Sequence, residues 1–98
     1  MFGMYDEFET NNNQNFVTTQ QLKQDIIGEF DAVRQYDQHI FDTNNQLAKR
    51  TWQHIKQEEL VHIGELLALW KTLDPTNFAF VEDGMNEFFE HKAEWSSE

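Results

Sequence analysis

Glu59-Leu60-Val61-His62 is a Glu-x-x-His sequence, and it falls where a helix should present apolar side chains. Residues three apart on a helix share a face, so one carboxylate oxygen and one imidazole nitrogen converge on a point. Glu29 is a third polar lapse of the same kind, set between Ile26 and Val33. Burying an unpaired carboxylate costs several kcal/mol or forces it to take up a proton. Two facing carboxylates also repel unless a cation lies between them. The chemistry these residue types offer is therefore cation binding. Hard carboxylate oxygens with a borderline imidazole suit iron or manganese, and zinc or calcium can substitute.

Two long helices must position the three residues. The first is expected from about Thr18 to residue 42, since Thr18 and Gln21 have capping-box spacing. Its apolar stripe is Leu22, Ile26, Val33, Tyr36 and Ile40, in steps of four and three once position 29 is counted. Asp42-Thr43-Asn44-Asn45 reads as a turn that also caps the next helix. The second helix is expected over about 45–73, with the stripe Ala48, Trp52, Ile55, Glu59, His62, Leu66, Leu69 and Leu73. A second row, Leu60, Ile63, Leu67 and Trp70, makes its buried face too wide for one partner helix. Asp74-Pro75 ends it. The short turn implies an antiparallel hairpin. Glu29 and Glu59 are nearly equidistant from that turn, so they should meet at one height.

A shorter third helix is expected over about 77–92. Phe78, Val81, Met85 and Phe88 share a face, and it should pack on the hairpin or on a neighbouring subunit. Residues 1–17 read as a flexible N-terminal arm, because Asn11 to Asn15 form a polar run without period. The aromatic residues Phe2, Tyr5 and Phe8 before it could dock on a surface. Residues 18–98 form the helical domain, and the fold class is all-α.

Counting ligands decides the assembly. Ferritin-like di-iron proteins use two Glu-x-x-His motifs and two further Glu, spread over four helices. This chain supplies one motif and one further Glu, which is half a site. Two chains about a two-fold axis would supply four carboxylates and two imidazoles. The stoichiometry predicts a homodimer that completes a four-helix bundle around the metals.

Bulk composition agrees. The 98 residues make one small domain, and the formal net charge is −11. Nucleic acid is excluded as a partner, because phosphate binding needs clustered Lys and Arg. An acidic field attracts divalent cations instead. The absence of cysteine excludes disulfides, zinc fingers and thiolate catalysis. No apolar run is long enough to cross a bilayer, and the acidic N-terminus is not a secretory signal. A cytoplasmic protein with no membrane association is the expectation.

Other polar groups carry less. His54 and Glu58 are four apart but off the stripe, and read as a solvated pair. His39 and His91 have no convergent ligands. Asp25 lies one turn from Glu29 and Asp31 two residues from it; either could draw cations, or simply belong to a solvated face. Tyr36 could donate a hydrogen bond to a ligand carboxylate, or satisfy its hydroxyl elsewhere in the core.

At this point the chain resembles the encapsulated ferritins, two-helix ferritin-like proteins with half a di-iron site per chain. The resemblance covers roughly residues 22–75. It rests on Gly28-Glu29-Phe30-Asp31-Ala32-Val33 with Tyr36-Asp37-Gln38, on Leu47-Ala48-Lys49, on Glu58-Glu59-Leu60-Val61-His62, and on the Asp74-Pro75 ending. It implies an annular decamer built as a pentamer of dimers, with ferroxidase sites at one of two kinds of subunit interface. It implies that Glu29, Glu59 and His62 ligate iron, and that Tyr36 lies near them. Gln35 stands where the family has a Trp. Asp31 matches one carboxylate of an outer metal-uptake site, but Gly28 stands where another is expected. Family members usually end in a short apolar peptide that docks them inside an encapsulin shell; Glu94-Trp95-Ser96-Ser97-Glu98 does not resemble one.

The leading expectation is a ferroxidase in iron storage and detoxification, with Glu29, Glu59 and His62 as catalytic metal ligands. Two readings compete. One is a non-enzymatic helical oligomerisation module in which the buried polar residues fix register. The other keeps the two-metal site but assigns it different oxygen or peroxide chemistry.

Overall fold

A computed structural model describes the backbone of residues 2–97 and the side chains of residues 14–97. The protein is all-α. Helix α1 spans Phe2–Asp42, α2 spans Gln46–Leu73 and α3 spans Pro75–Ser96. The side chains of Phe2, Tyr5 and Phe8 lie outside the described residues.

Helix α1 carries no break at Thr18. No proline or glycine interrupts the backbone there, and the Thr19 hydroxyl donates back to the Phe16 carbonyl at 2.9 Å. Thr18 thus falls inside the helix rather than at its cap. At the other end the helix meets the hairpin turn. There the Asn45 side chain accepts from the Ala48 amide at 2.9 Å and satisfies one orphan donor of α2.

Helices α1 and α2 pack antiparallel along most of α2. Leu22 and Ile26 of α1 and Ile63 of α2 are buried between them. Three further contacts fix the register. Lys56 Nζ donates to Asp37 Oδ1 at 2.8 Å. The rings of His39 and Trp52 lie 4.9 Å apart. Lys23 Nζ stands 5.2 Å above the centre of the Trp70 ring, a cation–π contact.

Asp74 alone separates α2 from α3. Proline disfavours the helical region for the residue before it, and Asp74 adopts φ −144°, ψ 63°. Pro75 then takes the first helical position, where its missing N–H costs nothing. Phe78 is buried edge-on against Trp70, with ring centres 5.2 Å apart. Lys71 and Glu82 pair at 3.0 Å. Beyond these first turns α3 leaves the hairpin. Met85, Phe88 and Phe89 are exposed, and among the described residues the helix that α3 packs on is α2. Among the described residues, the expected packing of α3 on the hairpin is made by its N-terminal end.

The radius of gyration is 19.3 Å, against about 13 Å for a compact chain of this length. A single copy does not enclose its own core.

Candidate metal centre

Glu29 lies thirteen residues before the end of α1, and Glu59 thirteen residues after the start of α2. At 1.5 Å per residue both stand about 20 Å from the turn. The antiparallel packing brings them to one level, with His62 one turn further along α2. His62 Nδ1 is 3.6 Å from Glu29 Oε1 and 3.6 Å from Glu59 Oε2. One ligand atom from each of the three residues can be chosen so that all lie within 4.8 Å of one another.

These separations argue against an ordinary hydrogen-bonded core pair. Such a pair would close to about 2.7–3.2 Å. Donor atoms bound to one ion at about 2.0–2.2 Å stand roughly 3–4.3 Å apart. The observed spacing fits the second geometry. Both carboxylates are about four-fifths covered, while His62 is half exposed.

The three residues open onto a groove of about 540 Å³ between α1 and α2. Asp25, Gly28 and Ala32 line it from α1, and Glu65 and Leu66 from α2. No Lys or Arg lines it. A Cβ added at Gly28 would meet nothing within 4 Å, so the groove is open there.

The flanking residues divide. Asp25 lines the groove. Asp31 does not; it is exposed and faces Arg34 at 3.4 Å. Two residues turn a helix by about 200°, which carries Asp31 away from Glu29. Tyr36 is half-buried, with its ring 6.3 Å from that of His39, and it does not line the groove. Glu65 was not singled out from the sequence. The available signal was its spacing, since Glu59, His62 and Glu65 continue one three-residue step. Elsewhere, His54 pairs with Glu58 on the exposed face of α2, and His91 stacks on Trp95 at 4.7 Å. Among the described residues Glu29, Glu59 and His62 form the sole cluster with metal-holding geometry.

The chain is similar in sequence and fold to known proteins. The chain is 31% identical over 67 residues to the encapsulin nanocompartment cargo protein EncC of Myxococcus xanthus (strain DK1622), which covers 68% of the chain and 52% of that protein. It also superposes on the crystal structure of an encapsulated ferritin domain from Pyrococcus furiosus, with a TM-score of 0.74, 28% identity and 78% of each chain covered. The two matches together support an encapsulated ferritin-like family. No family model matches it. The chain spans about half the length of the curated relative it matches. None of the described helices is long and apolar enough to cross a membrane.

Proposed function

We propose that this chain is a ferroxidase subunit that oxidises Fe(II) at a two-iron site shared between two copies. The observation that carries the reading is the placement of His62 Nδ1 at 3.6 Å from both Glu29 Oε1 and Glu59 Oε2, on a groove without cationic side chains. A two-fold pair would present four carboxylates and two imidazoles to two iron ions, the donor set that ferritin-like di-iron proteins use. The extended single chain, with its half-covered core, supports such a partner.

Iron is the substrate. Two Fe(II) ions each give one electron; dioxygen takes both with two protons and leaves as hydrogen peroxide. Glu29 and Glu59 supply negative charge, which favours the higher iron oxidation state. His62 supplies a neutral nitrogen donor, and its half exposure leaves the site reachable by oxidant. Tyr36 and Asp31 lie off the chain's own groove, so within this reading they would act from outside the immediate ligand set. Dimers would assemble further into a ring, a decamer by family resemblance. An open ring stores no mineral, so Fe(III) would pass into an enclosing compartment. The relative named as an encapsulin cargo supports an encapsulin shell in the cytoplasm as that compartment, with iron storage as the outcome.

The test is anaerobic loading of the intact protein with Fe(II), followed by air. Fe(III) formation should be rapid in the parent and lost in Glu59→Ala and His62→Ala. Variants that oxidise iron at the parent's rate overturn the reading. A register device would explain buried polar residues, but would leave unexplained why their atoms stand apart on an open groove.

A further inference from the structure

The hairpin has a second face. At about 100° per residue, Ile27, Phe30 and Phe41 fall within about 60° of one another around α1, and about 150° from Gly28 and Ala32 of the metal groove. All three are exposed. Leu60 continues this back face on α2, about 160° around the helix from His62, and it too is exposed. The back face is cationic. Lys23 and Arg34 lie within the α1 strip, and Lys49, Lys56 and Lys71 lie within about 40° of Leu60. These are five of the seven Lys and Arg in the chain. The hairpin carboxylates that they meet are Asp31 and Asp37, so the balance stays positive. The metal groove, by contrast, is lined by no Lys or Arg.

Helix α3 has the complementary character. Val81, Met85, Phe88, Phe89 and Trp95 fall within about 120° around it, and all are exposed. The helix carries Glu82, Asp83, Glu87, Glu90 and Glu94 against one lysine, Lys92. Its strip also has the right length. Fourteen residues separate Ile27 from Phe41, and fourteen separate Val81 from Trp95, about 21 Å in each case. The chain already makes one contact of this kind, where Lys71 of the back face donates to Glu82 of α3 at 3.0 Å. Two back faces would not pair with each other, because each would set its cations against the other's.

We propose that the back face is the docking surface for α3 of a second copy, with the Val81–Trp95 strip lying along Ile27, Phe30 and Phe41. About a two-fold axis each copy gives its α3 to the other, so the contact is made twice. An aromatic side chain has about 150–250 Å² to bury, so a half-exposed one offers on the order of 100 Å². Phe30, Phe41, Phe88, Phe89 and Trp95 are each half exposed or more. Two reciprocal contacts then reach about 1,000 Å², the size at which a specific interface begins. The metal groove stays free on the other face. The inference extends the ring reading by naming its second contact, and it needs neither metal nor turnover.

The experiment uses the absence of cysteine from the chain. Position 34 is the midpoint of the α1 strip and position 88 that of the α3 strip, so the two meet whichever way α3 runs. Full-length Arg34→Cys protein, mixed with full-length Phe88→Cys protein in chelator, should be joined by a short bismaleimide into a mixed dimer. Glu58→Cys, exposed on α2 outside the back face, should not be joined to Phe88→Cys. In sedimentation with chelator, Phe30→Asp and Phe88→Asp should each weaken self-association at least about tenfold, with helicity at the parent level. No 34–88 product, a dominant 34–34 or 88–88 product, equal joining through position 58, or parent-like association of both Asp variants would each overturn the inference. Glu59→Ala added to the cysteine variants should leave the 34–88 product unchanged. A parent that forms this contact but oxidises no iron overturns the ferroxidase reading alone, and iron oxidation without the contact overturns this inference alone.

Discussion

Glu29 of α1 and His62 of α2 hold Oε1 and Nδ1 3.6 Å apart across the helix interface, too far for a hydrogen bond and right for two atoms that share an ion. Neither residue can form this relationship within its own helix. It depends on the antiparallel register, which Lys56–Asp37 and His39–Trp52 fix nearer the turn.

His62→Ala should lower Fe(II) oxidation by more than about 100-fold, since even the outer partners of metal ligands cost 10–100-fold. His62 is half exposed on an open groove, so added imidazole should restore part of the lost rate. Stopped-flow absorbance of Fe(III) with and without imidazole measures both. A fully active His62→Ala variant would remove the residue from the site.

Bound cation should stabilise the protein. At a free Mn(II) concentration about 100 times Kd, the gain is about 2.7 kcal/mol for one site. Thermal unfolding with Mn(II) and with chelator should show the rise in Tm, and Glu29→Ala with Glu59→Ala should abolish it. An unchanged Tm in the parent at saturating metal would contradict the site.

Asp74 links α2 to α3, and its carboxyl titrates below the ordinary value of 3.8. The Asn77 side-chain amide is the main cause, with the Trp70 indole N–H adding to it and partial desolvation opposing. A carboxylate with a depressed folded pKa stabilises the fold above its unfolded value, and that contribution is lost as pH falls through the folded value. Nuclear magnetic resonance titration should place the Asp74 midpoint below 3.8, and Asn77→Ala should move it back towards 3.8. Asp74→Asn should flatten the loss of stability in that acid range. A midpoint unmoved by Asn77→Ala would reject the assigned cause.

Phe78 anchors α3 through its contact with Trp70. Phe78→Ala should cost about 3 kcal/mol. It should leave Mn(II) affinity at the parent level, because Phe78 does not line the groove. Denaturant unfolding and the Mn(II) titration together check this.

The hairpin turn should matter more than the ion pair beside it. Asn45→Ala removes the α2 cap and should cost about 1 kcal/mol. Lys56→Ala breaks a pair whose carboxylate is more than half exposed and should cost less. Chemical denaturation of both variants orders the two effects.

Much of the site was legible without coordinates. The heptad step in each helix set which residues share a face, so Glu29, Glu59 and His62 stood out as polar lapses. Equal distance from a turn rich in Asn and Asp placed the two carboxylates at one height. Asp74-Pro75 marked the break between α2 and α3, because proline restricts the residue before it. The start of α1 was less legible. Thr18 and Gln21 have cap spacing, yet a helix already under way absorbs a threonine by bonding its hydroxyl to a carbonyl of the preceding turn, as Thr19 does.

The sequence by itself determined the helical faces, the antiparallel pairing and the three candidate donor residues, because these follow from the period of one helix and the length of one turn. Only the tertiary structure decided which neighbours share the donors' space. Asp25 and Asp31 are similarly close to Glu29 in the chain, but only Asp25 lines the groove, and Glu65 joins it from the other helix. Tertiary structure also decided that the N-terminal end of α3 packs on α2 through Phe78 and Trp70. Period assigns a residue to a side of its own helix; the groove between two helices depends on how closely and at what angle they pack, which no single helix encodes.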